Sequence, residues 1–299
     1  MKLIKSPRKR KKIGTIIRST FLWIIAATYV IPIVFTVCNS FMNETEISAG
    51  YGKIFSNLAG KGKFVSNVVH LKFIPDAVSF KQYSTVLFAS PDYLFKFWNS
   101  VIMVVPIVIF QMLIALLAAY GFTRYRGKMR EIIFFAYVIL MLTPYQVTLV
   151  PNYLVSDALG ILNTRWAIIL PGIFSPFSVF ILTKFMRRIP SGIIEAAKVD
   201  GAGEWYIFSS LCLPLCKSAI ASVCILVFID YWNMVEQPLI LFSDSDMHPL
   251  SVFLSRINQG EIGIAFAVAT IYMIPTLLVF RYGEEYLVEG ISYQGGIKG

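Results

Sequence analysis

Glu195-Ala196-Ala197-Lys198-Val199-Asp200-Gly201-Ala202, followed by Leu213-Pro214, is the stretch that decides how this chain is organised. It lies between two long apolar segments, so we expect a polar connection on the face of a membrane protein. The helical spacing of four residues predicts a helix of about two turns, with Ser191 as its N-cap. These residues are Ile193, Ile194, Ala197 and Lys198. Asp200-Gly201 is the expected stop, because glycine accepts the left-handed conformation that commonly ends a helix.

A second short helix is predicted from Glu204 to Leu211, and Pro214 suits the first turn of the apolar segment that follows. Two helices joined by a tight turn are stiffer than an irregular loop. Small side chains at the alanines leave little between this backbone and a partner. The whole connection, residues 190–215, is therefore predicted to be a rigid docking surface.

The composition supports a membrane protein. Hydrophobic residues make up 57% of the 299 positions and charged residues 15%, with a mean hydropathy of +0.68. A soluble chain typically carries about a quarter charged residues. The net charge is +10, but the basic residues cluster beside apolar segments, where membrane orientation requires them. We therefore expect no nucleic-acid partner.

Six apolar segments have nearly the length that crosses about 30 Å of hydrocarbon as a helix. Because lipid cannot satisfy exposed backbone groups, these segments must be helical. The predicted fold class is all-α, a polytopic membrane helical bundle with six transmembrane helices. The predicted spans are Ile16–Ser40, Phe97–Thr123, Ile132–Val150, Ala167–Arg187, Ser218–Phe242 and Ile262–Tyr282.

Lys and Arg concentrate at the N-terminus and in the loops after the second and fourth spans, which places these regions, and with six spans both termini, in the cytoplasm. The predicted division is a basic cytoplasmic arm (1–15), a first span (16–40), an extracellular loop (41–96), a core of the five remaining spans (97–282) that contains the connection 190–215, and a cytoplasmic tail (283–299).

The sequence offers no motif for a reaction or a bound cofactor. Four Cys and two His have no second ligand pair at metal spacing, and no G-x-x-x-x-G-K-[ST] phosphate loop is present. A membrane-embedded enzyme needs a nucleophile with a base inside the bundle, and no His lies within a predicted span. We therefore predict a protein that is not an enzyme and holds no cofactor or metal.

From about Phe80 onward the chain resembles a known family. The pattern E-A-A-x-x-x-G with L-x-L-P resembles the cytoplasmic EAA loop of permease subunits of binding-protein-dependent ABC importers. Within that family it is similar to the sugar-importer branch, the MalG-like permeases of the maltose-transporter type. Supporting stretches are Trp98-Asn99-Ser100, Ala119-Tyr120-Gly121-Phe122, Pro151-Asn152-Tyr153, Leu159–Thr164, Tyr231-Trp232-Asn233 and Gly295–Gly299.

The resemblance implies a type I ABC importer permease in the plasma membrane of a prokaryote. Its implied partners are a second, related permease, two ATPase subunits that bind the ATP and Mg, and an extracellular binding protein that delivers a sugar. The resemblance also implies the residues of the ATPase-coupling loop. These are Glu195, Ala196, Ala197, Asp200, Gly201, Ala202, Leu213 and Pro214.

Polar residues inside the spans define a second candidate site, the translocation path: Asp230, Asn233, Gln111 and Gln146. Polar side chains in spans are expensive and mark functional sites, yet they also hold helices together by hydrogen bonds, and both interpretations stay open. A peptide or phosphate importer is the alternative for the solute. An ion-coupled secondary transporter using Asp230 and Glu236 is the other alternative, although the internal repeats expected of one are not detected.

Overall fold

The apolar segments form helices in a computed structural model that describes residues 7–50, 72–256 and 261–292; these residues contain no strand. The principal helices are α1 (Pro7–Asn39), α2 (Pro91–Arg124), α3 (Lys128–Met141), α4 (Tyr145–Ala158), α5 (Trp166–Gly172), α6 (Pro176–Met186), α7 (Ser191–Val199), α8 (Lys217–Trp232), α9 (Glu236–Leu241), α10 (Leu250–Ser255) and α11 (Ile262–Ser292). Shorter helical segments are 44–50, Lys81–Ser84, Thr85–Ala89, Glu204–Tyr206, Ile207–Cys212, Leu213–Leu215 and Ser245–Met247.

Four helical stretches in the described residues are long and apolar enough to cross a membrane: Thr15–Asn39, Pro91–Arg124, Trp166–Met186 and Ile262–Tyr286. Two further pairs of helices pass the same test only together, and each pair is sharply bent. By length and composition the described residues therefore contain four spans, or up to six if each bent pair crosses the membrane as one.

The predicted third span, Ile132–Val150, is not one continuous helix. It divides into α3 and α4, whose axes differ by 104°. Pro144 causes the break, because a proline has no N–H to continue the helix and disfavours helical geometry in the residue before it. Accordingly α3 is capped by Leu142, and α4 begins directly after Pro144.

The predicted fifth span, Ser218–Phe242, is also interrupted. Its main helix, α8, ends at Trp232 with Asn233 as its cap, and α9 begins separately at Glu236. Pro214 does not open this span as predicted. It lies in Leu213–Leu215, at the end of a helical stretch that is bent by 75° from α8. The preceding turns, Ile207–Cys212, are π-helical; Pro214 has no N–H to close a regular α-helical bond in this region.

Other helix ends differ by smaller amounts. Ser191 is the first helical residue of α7 and not its N-cap, a position that Pro190 occupies. The predicted fourth span, Ala167–Arg187, is broken between α5 and α6, where the Ser175 hydroxyl caps the new helix at the amide of Ser178. α11 continues beyond the predicted end at Tyr282, to Ser292. The extreme N-terminus, the middle of the outer loop (51–71) and the C-terminal glycine stretch lie outside the described residues.

The chain separates into two units, Met1–Pro91 with Ile257–Ile271, and Asp92–Arg256 with Tyr272–Gly299. In the first unit, the end of α1 packs through Phe35, whose ring meets those of Phe73 and Phe266 edge to face. Met42, Ile47 and Ile262 form its buried cluster.

The second unit contains both candidate sites. Its core forms where α2, α6 and α8 meet. The buried side chains of this core are Met112, Ala115, Ala119, Val179, Leu182, Met186, Phe208, Cys216, Ala219, Val223 and Val227. Small residues at Ala115, Ala119 and Ala219 allow close helix packing, which is the usual basis of association between membrane helices.

Candidate functional site: the loop 190–215 and the cavities beside α8

The loop 190–215 is built as two helical arms around a Schellman turn. The first arm is α7, and the second is the helical stretch Glu204–Leu215. The amide of Ala202 donates to the carbonyl of Ala197 over 2.9 Å, and the amide of Gly201 donates to the carbonyl of Lys198 over 3.0 Å. These are the two hydrogen bonds that define the motif. Gly201 has φ +83°, a conformation that glycine adopts without steric cost. The predicted stop at Asp200-Gly201 is therefore present.

An apolar underside anchors both arms. Ile194 from the first arm and Ile207 and Cys212 from the second are buried together. Ala197 and Ala202 pack against this cluster, as does the ring of Tyr120 near the end of α2. The Tyr120 ring also lies 5.1 Å, centroid to centroid, from the ring of Phe208. The loop is thus seated on α2 and does not hang free.

Glu204 forms a network of ion pairs and a hydrogen bond between the loop and the end of α2. Its carboxylate pairs with Lys198 of the first arm, accepts a hydrogen bond from the Tyr120 hydroxyl, and lies 3.5 Å from the Arg124 guanidinium. The Lys198 and Tyr120 hydrogen bonds, with the charges of Arg124 and Lys198, lower the pKa of Glu204 to about 2. This carboxylate joins the first arm, the second arm and α2, which restrains the turn.

The outer side of the loop is exposed and partly apolar. Val199 is 88% exposed, Trp205 71% and Tyr206 59%. Glu195, Ala196 and Asp200 are exposed as well, whereas Ala197, Ala202 and Leu213 are partly buried. The predicted loop residues therefore divide into an inner group that packs on the protein and an outer group that can contact a partner.

Three of the four predicted path residues come together. Gln146 of α4, Asp230 of α8 and its cap Asn233 line one cavity of about 560 Å³ with Glu236. A second cavity of about 580 Å³ adjoins it. The residues shared by the two cavities are Tyr145, Asp230, Tyr231 and Gln237.

Gln111 is placed elsewhere. It is 1% exposed, and its amide nitrogen donates to the Ser178 hydroxyl of α6 over 2.7 Å. This is the interhelical hydrogen bond that the sequence left as an alternative. Asn233 also takes part in helix contacts, because its side-chain oxygen accepts from the Tyr272 hydroxyl over 3.0 Å. Asp230 and Gln146 keep their place on the cavity wall.

Sequence reasoning missed several residues of both sites. Glu204 was expected only as the start of a helix, and its partner Tyr120 is 84 positions away. Trp205 and Tyr206 lie a few residues after the E-A-A pattern, and two aromatic rings in a polar loop were a usable signal. Tyr145 opens α4 and lines both cavities, because the chain bends sharply between α3 and α4 at Pro144.

Neither site is arranged for covalent chemistry. The loop presents a stiff, partly apolar surface, which suits docking. The cavities carry amide, phenol and carboxylate groups, which bind hydroxyl-bearing solutes by hydrogen bonds. A helical membrane bundle with such a loop and such cavities is the arrangement of a transport permease.

The family described as "Binding-protein-dependent transport system inner membrane component" matches residues 84–293, and the chain belongs to this family. The prediction of an ABC importer permease, a transport subunit and not an enzyme, is confirmed. The chain is 31% identical over 207 residues to the lactose transport system permease protein LacG of Rhizobium radiobacter, and the match covers 68% of this chain and 76% of that protein. It is 27% identical over 251 residues to the arabinooligosaccharides transport system permease protein AraQ of Halalkalibacterium halodurans, covering 82% and 89%.

Two solved structures have the same fold. One is the crystal structure of a bacterial ABC transporter involved in the import of the acidic polysaccharide alginate, with a TM-score of 0.74 at 20% identity over 95% of this chain and 99% of that one. The other is a bacterial alginate ABC transporter in complex with an alginate pentasaccharide-bound periplasmic protein, with a TM-score of 0.63 at 14% identity over the full length of both chains. The all-α membrane bundle and the importer permease fold are thereby confirmed.

Proposed function

We propose that this chain is the permease subunit that moves a sugar or oligosaccharide across the plasma membrane of a prokaryote. An extracellular binding protein delivers the solute, and ATP hydrolysis on separate ATPase subunits drives its passage. Relatives named for lactose and for arabinooligosaccharides support a saccharide over a peptide or phosphate. Membership of a binding-protein-dependent family argues against an ion-coupled secondary transporter.

The observation that carries the coupling part of the proposal is the two-sided loop 190–215. Its inner side is fixed to α2 through Ile194, Ile207 and Glu204. Its outer side exposes Val199, Trp205 and Tyr206. Exposed apolar and aromatic side chains on a rigid support are typical of a docking surface. We assign this surface to the ATPase subunit.

The proposed mechanism is alternating access. ATP and Mg are bound by the two ATPase subunits, and their closure displaces the docked loop. Because Tyr120 and Arg124 of α2 hold the turn through Glu204, the displacement passes into α2. A second, related permease completes the translocation path, with the cavities beside α8 on this subunit's side. Both termini and the loop 190–215 then face the cytoplasm.

Docking is tested by co-purification of the ATPase subunit with Trp205→Ala. We expect at least about a 10-fold loss of bound ATPase and of ATP-dependent saccharide uptake, since exposed tryptophans at interfaces often contribute about 2 kcal/mol or more. Trp98→Ala is the matched control. Trp98 is 52% exposed and lies on the same helix as Tyr120. Along the helix axis it is about 33 Å from Tyr120, at a rise of 1.5 Å per residue. Full ATPase retention by Trp205→Ala, or equal loss in both variants, would refute the assignment.

Orientation is tested with Asp200→Cys, an exposed position in the turn, in a chain whose four native cysteines are replaced. A membrane-impermeant maleimide should label it in inside-out vesicles and not in intact cells. Labelling from outside intact cells would rule out ATPase docking at this loop.

The solute class is tested by calorimetry of the cognate binding protein with saccharides, and tight binding of a peptide alone would exclude a sugar.

A further inference from the structure

The two cavities beside α8 have an uneven charge. Asp230 lines both, and Glu236 lines the first. Among the described residues on these walls, no lysine, arginine or histidine is present. Both carboxylates are exposed, and in the described part of the chain neither has a hydrogen-bond or ion-pair partner. On this subunit the described walls therefore carry negative charge with no basic side chain beside it.

The remaining polar groups on the walls suit an uncharged solute. Gln146, Asn233 and Gln237 supply amide donors and acceptors, and Thr148 and Asn152 add a hydroxyl and a further amide. The rings of Tyr145 and Tyr231 give the walls flat apolar area beside these groups. A polyhydroxylated sugar ring has apolar faces and hydroxyl groups at its edge. The amides and the hydroxyl can hydrogen-bond these hydroxyl groups, and the aromatic faces can pack against the apolar faces.

A solute carboxylate would meet a different environment. Within the cavity it would lie near Asp230 or Glu236, and like charges placed together in a binding site repel each other and weaken binding. Such repulsion is a common way to exclude a wrong ligand, because specificity depends on what a site rejects as well as on what it binds. The related transporter of alginate carries an acidic polysaccharide, so the fold alone does not impose this charge.

We propose that these cavities admit uncharged oligosaccharides and that Asp230 and Glu236 exclude saccharides carrying carboxylate groups. The inference rests on the proposed sugar transport and adds the charge class of the sugar. It makes Glu236 a specificity residue beside the predicted Asp230. It also gives a function to Tyr145, which follows the helix break at Pro144, and to Tyr231 and Gln237 of α8 and α9, which line the same cavities.

The experiment uses two probes with one carbon skeleton, trigalacturonate and its fully methyl-esterified form, which differ in charge. Binding to the complete purified transporter is measured by saturation-transfer NMR in the absence of the binding protein, so that only the permeases select. We expect the wild type to bind the ester at least about 10-fold more tightly than the acid. In the Asp230→Asn, Glu236→Gln double variant the ratio should fall to within about 3-fold, because the acid gains affinity when the repulsion is removed.

Two comparisons keep the test independent of folding. Asp157→Asn removes an exposed carboxylate from α4 that lines neither cavity, and it should leave the ratio unchanged. In the wild type, raising the salt from about 0.05 to 0.5 M should reduce the ratio, because salt screens exposed charges over a few ångströms. Equal binding of both probes by the wild type, an unchanged ratio in the double variant, or binding of neither probe would overturn the inference. None of these outcomes touches the ATPase co-purification, which tests the proposed function separately.

Discussion

Replacing Glu204 by glutamine should loosen the turn between the two arms of the loop. The substitution keeps the shape of the side chain and its ability to accept a hydrogen bond from Tyr120. It removes the negative charge that pairs with Lys198 and faces Arg124. The difference between the two proteins therefore isolates the ionic part of the network.

The size of the effect follows from the exposure of the partners. The side chains of Glu204 and Lys198 are 50% and 46% exposed, and that of Arg124 is 20% exposed. Solvent-screened ion pairs of this kind contribute about 0.2–1 kcal/mol each. We therefore expect a loss of about 1 kcal/mol, which corresponds to roughly a 5-fold increase in local opening.

The assay is hydrogen exchange of the chain in detergent, read at the amides of Gly201 and Ala202, whose hydrogen bonds close the turn. Glu204→Gln should speed their exchange about 5-fold. The control is Glu195→Gln, since Glu195 is an exposed carboxylate of the same loop whose loss should leave these amides unchanged. If exchange at the turn were the same in Glu204→Gln and the wild type, the network would not restrain it.

The same carboxylate predicts a pH dependence with a defined sign. Its partners lower its pKa from 4.5 to about 2. A group whose pKa is lowered on folding stabilises the folded state above its ordinary pKa, and this contribution disappears as the pH falls toward the folded value. The melting temperature of the wild type should therefore exceed that of Glu204→Gln above about pH 5, and the two should converge between pH 4.5 and about 2. A difference that grew in acid would contradict the assignment.

Two further predictions are tested by thermal unfolding in detergent. Gly201→Ala should destabilise by about 1 kcal/mol, because φ is +83° although the added methyl meets no atom within 4 Å. Gly203→Ala, at φ −72° and equally open, should carry no strain cost, and an equal loss in both would exclude backbone strain as the cause. Ser178→Ala should cost about 1–3 kcal/mol by leaving the buried amide of Gln111 without its partner. Adding Gln111→Leu should recover most of that loss, and a double variant no more stable than the single one would speak against the bond.

The spans show where sequence reasoning succeeds. The length of an apolar segment is read from consecutive residues, and in lipid such a segment satisfies its own backbone hydrogen bonds as a helix. Six apolar segments could therefore be recognised without coordinates. Their interruptions were not. Proline lies in α2 at Pro106 and in α11 at Pro275 without ending either helix, whereas Pro144 ends one. Which of these prolines breaks a span depends on the neighbours that can re-satisfy the freed carbonyls.

The sequence by itself determined the membrane class, the loop 190–215 and its glycine stop, since each depends on residues only a few positions apart. Tertiary structure alone decided that Glu204 joins Tyr120, that Gln111 is held by Ser178, and that Gln146 shares a cavity with Asp230. These pairs lie far apart along the chain, and no local periodicity encodes which side chains meet when helices pack. Packing determines those partners through shape and exclusion of solvent, and these properties belong to the assembled bundle.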